Sequence, residues 1–265
     1  MKVEEVSVLD TSGASVVVYE KRLSARERAE PEATARLRGE AELLAALGGR
    51  VTPALVGTGE DERGPWLRTA KVPFPTLAQR LDEAARQGTG GLDVAWIERA
   101  VRVAYAALAE LHEAADPRGS LQIVHADLSP ANVAVDDDAE RVILIDLDLA
   151  TWRGGAARDG AFRGTVVYAA PEIARGEAPS PASDLFAMAA TFLHAITGAP
   201  PRTGPSLAAL LAHAAERPLV DDLGSAVSAA ELAGRGSAHA AIIRCLAHLP
   251  HERPASAREV LALLA

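Results

Sequence analysis

Residues 125–150 read HADLSPANVAVDDDAERVILIDLDLA. Short strands are expected at 133–135 (VAV) and 141–145 (RVILI), flanking the acidic turn DDDAE. Useful polar groups stand at their ends: the carboxylate of Asp127, the carboxamide of Asn132 and the carboxylate of Asp146. A single aspartate in a loop reads as a solvated turn residue or a cap. Three oxygen-bearing side chains pinned by apolar strands read differently, because Mg²⁺ takes such ligands together with phosphates.

The chain has 265 residues, enough to bury a sizeable core in one large domain or two small ones. Its apolar share of 49% and charged share of 24% match a soluble globular protein. A net charge of −9 argues against broad binding to nucleic acid or to an anionic membrane. No apolar run is long enough for a membrane span, and MKVEEVSVLD lacks a signal-peptide core. The single cysteine, Cys245, lies in the helical pattern IIRCLAHL and reads as a buried structural thiol. With no disulfide framework available, a reducing cytoplasm is the expected compartment. Only Lys2, Lys21 and Lys71 are lysines among 27 basic residues, in an Ala-, Arg- and Gly-rich composition like that of GC-rich bacterial coding. Each retained lysine therefore stands out.

Residues 3–9 and 16–23 predict a hairpin around TSGAS, and 31–47 a helix that starts at Pro31 and stops at Gly48-Gly49. Strands are expected at 53–58 and 66–70 around EDERG. KVPFP, 71–75, is a stiff connector that cannot be regular helix, and it divides a small lobe, 1–75, from a helical lobe, 76–265. A loop at 86–93 precedes a long helix at 94–115, with Ile97, Val101, Ala104, Leu108 and Leu111 on one stripe. Residues 149–182 read as irregular, and helices are expected at 183–197, 206–215, 238–248 and 256–264.

On strand 16–23, Val17, Tyr19, Lys21 and Leu23 share one face. Taken alone, Lys21 is a snorkelling lysine on a half-buried strand. The helix alters that reading. Leu37, Ala41 and Leu44 form its apolar stripe, Glu40 falls within it, and Glu42 points away. A carboxylate on an apolar face needs a cation, and Lys21 is the candidate. The pair is either a structural ion pair or part of a phosphate site.

HADLSPAN followed by D-L-D resembles the catalytic loop H-R-D-L-x-x-x-N and the metal motif D-F-G of the protein kinase superfamily. GTVVYAAPE, 164–172, resembles the end of an activation segment. SDLFAMAATFLHAITGAPP, 183–201, and CLAHLPHERPASAREVL, 245–261, resemble two helical segments of the large lobe of Ser/Thr kinases. The resemblance covers about residues 16–265 and implies an α+β, bilobal fold, with Mg²⁺ and ATP as cofactors and a protein or peptide substrate or partner. It assigns Lys21 and Glu40 to the nucleotide phosphates. Thr69 becomes the gatekeeper, with the backbone of Ala70 to Val72 as the adenine contact. Asp127 would accept the hydroxyl proton, and Asn132 and Asp146 would hold Mg²⁺. Thr165 would lie near the acceptor, His125 would be structural, Glu172 would pair with Arg253, and Asp184 would anchor the catalytic-loop backbone.

Departures from the family pattern temper these expectations. Ala126 replaces the arginine that contacts a phosphorylated activation segment, so that switching route is expected to be absent. Ser129 replaces a lysine that steadies the γ-phosphate. Asp148 replaces the glycine of D-F-G; it either assists a metal ion or bonds locally. The first strand resembles the second of the family, and the glycine-rich loop is missing: only Gly13 lies before Lys21, and TSGAS is too short and too late. That cover is absent, lies upstream in a longer protein, or comes from a partner. Weak nucleotide binding or slow turnover is the expected consequence. The alternatives are a catalytically impaired pseudokinase acting as a binding or scaffold module, or a kinase for a small molecule or biosynthetic peptide.

Overall fold

The computed structural model of the chain describes residues 2–9, 15–155, 164–222 and 236–265. Most of the TSGAS turn, residues 11–14, lies outside them. The small lobe is a four-stranded antiparallel sheet of β1 (Lys2–Leu9), β2 (Ser15–Arg22), β3 (Leu55–Asp61) and β4 (Gly64–Ala70), in the order β1-β2-β4-β3. The third strand begins later than expected and runs farther, because Asp61 pairs with Gly64 across a two-residue turn. That turn is possible because Gly64 takes a φ of 102°.

Helix α1 (Pro31–Leu47) starts at its proline and closes on Gly48, whose N–H returns to the Leu44 carbonyl. It lays Leu37, Leu44 and Leu47 into the core beside Leu67 of β4. On the other face of the sheet Glu20 is 2% exposed. It accepts from Arg22 at 2.6 Å and Arg68 at 2.8 Å, and Arg22 also grips Asp61. A buried carboxylate is tolerated there because each oxygen has a charged donor.

The connector 71–75 is irregular, as its prolines require. Helix α2 (Leu77–Gln87) follows, an element the apolar pattern did not single out. Its signal is a capping box, in which Thr76 accepts from the N–H of Gln79 and Gln79 reaches back to the N–H of Thr76. The loop expected from residue 86 therefore begins at Gly88.

Helix α3 (Val94–His112) buries Ile97, Val101, Ala104, Leu108 and Leu111 completely. It ends before the expected residue 115 because Ala115–Asp116 (β5) turns to pair with Gly119–Ser120 (β6). Strands β7 (Val133–Val135) and β8 (Val142–Leu144) pair across DDDAE. Within the stretch expected to be irregular, α4 (Pro171–Ala174) forms at a proline suited to a first turn. Helix α5 (Pro181–Thr197) starts two residues early because Ser180 and Ser183 make a capping box. It is buried almost all round. It stops at Gly198, with φ 70°, where a Cβ would lie 1.0 Å from the Gly90 carbonyl oxygen. Only glycine fits that contact.

Among the described residues, helices α6 (Leu207–Glu216), α7 (Ser237–Cys245) and α8 (Ala257–Leu263) follow in the large lobe. Cys245 is fully buried, and burial pushes its thiol up to about 11. Arg253 makes a bidentate pair with Glu172 at 2.6 and 2.8 Å, lies over the Phe186 ring, and also donates to the carbonyls of Ala247, Ala182 and His248. This closes α4, α5 and the C-terminal segment on one buried charge pair.

Candidate active site between the lobes

Strand β2 aims Lys21 out of the sheet toward α1 and the end of β8. Its Nζ lies 2.7 Å from Glu40 Oε2 and 2.6 Å from Asp146 Oδ1. One ammonium is thus shared by two carboxylates from opposite lobes. Burial opposes the charge on Lys21, but Glu40, Asp146 and Asp148 overcome it and hold the ammonium above its ordinary value. Burial raises Asp146 as well, yet Lys21 more than offsets this and keeps its carboxyl below the usual carboxylate range. Glu40 is the deepest of the three, and burial pushes it up to about 7 against the pull of Lys21.

The raised Glu40 value has a measurable consequence. A carboxyl raised above its unfolded value stabilises the fold at low pH, and that contribution is lost as pH rises through about 7. Glu40→Gln does not titrate. Its melting temperature relative to wild type is therefore expected to rise between pH 5 and pH 8, by about 2–4 °C for each kcal/mol lost by wild type. A Glu40→Gln melting temperature that stays level or falls relative to wild type over this range, read by differential scanning calorimetry, would contradict a buried, raised Glu40.

Lys21, Glu40, Thr69, Val72, Asn132 and Asp146 line one cleft of about 270 Å³, walled by Tyr19, Leu44, Leu67, Phe74, Ala134 and Ile145. Ala70 does not line it; its N–H is committed to the Ala54 carbonyl at 2.8 Å. Ser129 is buried in the catalytic-type loop, where its carbonyl accepts from the N–H of Asn132, and it lines neither the cleft nor the depression beside it.

Asp127 faces that adjoining depression, beside Thr165, Tyr168 and Ile173. Its Oδ1 accepts from the Thr165 N–H at 2.9 Å and from the Thr165 hydroxyl at 3.2 Å. Burial raises the Asp127 carboxyl, and the Thr165 N–H offsets part of the rise. Asn132 joins the two spaces, donating to the Asp127 carbonyl at 2.8 Å and to its carboxylate at 3.3 Å.

The loop carrying these groups is held in an unusual backbone shape. Ala126 and Asp146 both have left-handed φ, 65° and 63°. Such non-glycine conformations persist only where the surroundings over-determine them. Buried Asp184 does this for Ala126, accepting from the N–H groups of His125 at 2.7 Å and Ala126 at 2.9 Å, with His112 Nε2 at 2.9 Å. His125 is fully buried with Nε2 3.1 Å from the Ile145 carbonyl, beside Asp146.

Asp148 sits with its Oδ1 3.6 Å from Arg36 Nε of α1. Sequence reasoning passed over Arg36, although it lies four residues before Glu40 and therefore on the same helix face. His112 was missed too; as the last residue of α3, only packing brings it to Asp184.

This arrangement has relatives. The family model for the protein kinase domain matches residues 11–262. The chain belongs to the protein kinase domain family. Among curated relatives, the serine/threonine-protein kinase AfsK of Streptomyces griseus is 32% identical over 170 residues, 64% of this chain and 20% of AfsK. The serine/threonine-protein kinase PknF of Mycobacterium tuberculosis (strain H37Rv) is 30% identical over 187 residues, 68% of this chain and 37% of PknF. The serine/threonine-protein kinase PknK of the same species (strain CDC 1551) is 34% identical over 157 residues, 58% of this chain and 13% of PknK. The chain thus spans well under half the length of these relatives. The α+β, two-lobed arrangement expected from its motifs is the one observed. No helix among the described residues is long and apolar enough to cross a membrane.

Proposed function

We propose that this kinase domain transfers the γ-phosphoryl group of Mg-ATP to a Ser or Thr hydroxyl of a protein. The observation that carries the reading is the bridge from Lys21 to both Glu40 and Asp146, which joins the lobes at the back of a cleft lined by Thr69 and Val72. Among the described residues no three His, Cys, Asp or Glu side chains could hold a metal by themselves. Asn132 and Asp146 supply two oxygen donors, which suits an ion that arrives with phosphates and keeps part of its shell from them. When bound, Mg²⁺ would neutralise charge on the phosphate oxygens.

The protein's own groups divide the remaining work. Lys21 orients the phosphates, and Glu40 orients Lys21. Asp127 positions the acceptor hydroxyl and takes its proton as that oxygen bonds to the γ-phosphorus and the bond to the ADP oxygen breaks. Its raised carboxyl makes it a better proton acceptor than an exposed aspartate. Thr165 steadies Asp127 from the segment where a peptide acceptor would lie, which favours a protein over a small molecule. The gatekeeper role of Thr69 and an adenine contact at the Val72 backbone belong to this same proposal; Ala70 and Ser129, which do not line the cleft, are given no part in it.

A second reading, nucleotide binding without useful turnover, draws on Ser129. The family's γ-phosphate lysine is replaced there by a buried serine. Two measurements separate the readings. The first is Mg-dependent stabilisation by ATP in a thermal-shift experiment. The second is γ-phosphate transfer by wild type and by Asp127→Ala. Transfer is expected for wild type and lost in the variant by about 10²–10⁴-fold. Binding with no transfer at high ATP, with candidate protein partners supplied, would leave a scaffold; no binding at all would end both readings.

A further inference from the structure

The residues that follow Asp146 lean on α1. A Cβ built on Gly39 would lie 2.6 Å from Cη2 of Trp152 and 3.2 Å from its Cζ2, so the indole fills the space a side chain would need. Gly39 is buried and directly precedes Glu40. A glycine weakens a helix interior, and its presence beside Glu40 calls for a reason. Close approach of an aromatic ring is such a reason. Gly155 meets the same ring from another side, with a built Cβ 2.9 Å from Trp152 Cδ2. One turn earlier on the same face of α1, Arg36 Nε stands 3.6 Å from Asp148 Oδ1, with the two side chains 23% and 19% exposed.

Glu40, Gly39 and Arg36 therefore present one strip of α1 to Asp146, Trp152 and Asp148. We propose that Trp152 and Asp148 are positioning residues that clasp α1 so that Glu40 reaches Lys21. The clasp gives Asp148 a task other than metal binding. It also supplies a way to hold α1 in place that needs no phosphate, in a chain with Ala126 where the family pattern has an arginine. Its effect on phosphoryl transfer rests on the function proposed above; the clasp itself is a statement about the unliganded chain.

Hydrogen–deuterium exchange of the amides at 36–43 tests it on the 265-residue protein without nucleotide. Helix propensity alone predicts that Gly39→Ala strengthens α1 and slows exchange. The clasp predicts the reverse: alanine expels the indole, and exchange speeds by about tenfold. Adding Trp152→Phe shortens the ring and is expected to restore slow exchange in the double variant. Asp148→Gly is expected to speed exchange by about threefold. Slower or unchanged exchange in Gly39→Ala would overturn the proposal, as would a double variant no better than Gly39→Ala. A wild type that binds no nucleotide would remove the kinase reading and leave this result standing.

Discussion

Arg253→Met is expected to destabilise the domain by about 3–5 kcal/mol, the cost of leaving one partner of a buried ion pair uncompensated. The geometry explains why the effect should sit at the top of that range. The guanidinium side chain is wholly buried, and Glu172 loses both of its bidentate donors at once. The carbonyls of Ala182, Ala247 and His248 lose theirs as well. At about 2–4 °C per kcal/mol, the melting temperature should fall by about 6–20 °C. Urea unfolding followed by circular dichroism measures this directly. The double variant Glu172→Met with Arg253→Met should recover much of the loss, since an apolar pair of similar volume leaves no orphan charge. A single-variant change under about 1 kcal/mol would mean that water reaches the pair and that its burial has been misread.

Asp184→Asn is expected to cut phosphoryl transfer by about 100-fold while the domain still folds. Asp184 touches no reacting atom. Its two oxygens receive the N–H groups of His125 and Ala126 and face His112 Nε2. An asparagine presents a donor in place of one acceptor, so at least one of these groups loses its partner. The left-handed turn at Ala126 then loses its restraint, and Asp127 is the next residue. With Asp127 in the role proposed above, a shift of about 1 Å in its carboxylate is enough for a loss of this size. The signature is a fall in kcat larger than any change in the KM for ATP, because the hydrogen bonds of Asp184 go to His125, Ala126 and His112 and not to Lys21, Glu40 or Asp146. Unchanged kcat would show that the loop holds its shape without that anchor.

Much of this could be read from residue types. The apolar stripe of α3, the short strands around DDDAE and the proline-marked connector each follow from a local period or a breaker, and each is present. The boundaries that moved did so for equally local reasons of a subtler kind. Thr76 with Gln79, and Ser180 with Ser183, are capping boxes in sequences that also read as polar loop. The two-residue turn before Gly64 depends on one glycine taking a positive φ. The burial of Glu20 and Arg22 was hidden, because alternation along β2 assigns a face and does not say that Arg68 and Asp61 will close over it.

What the sequence by itself determined is the inventory: which side chains carry charge, which helix stripe Glu40 occupies, and which loop holds Asp127 and Asn132. Local periodicity and spacing suffice for that, because neighbours along a helix or strand are neighbours in space. Only the tertiary structure decided the distances. Lys21 and Asp146 are separated by 125 positions and lie 2.6 Å apart, and no local rule links them. The same holds for Arg36 with Asp148, His112 with Asp184 and Gly39 with Trp152, contacts made by packing two lobes whose periodic patterns carry no information about each other.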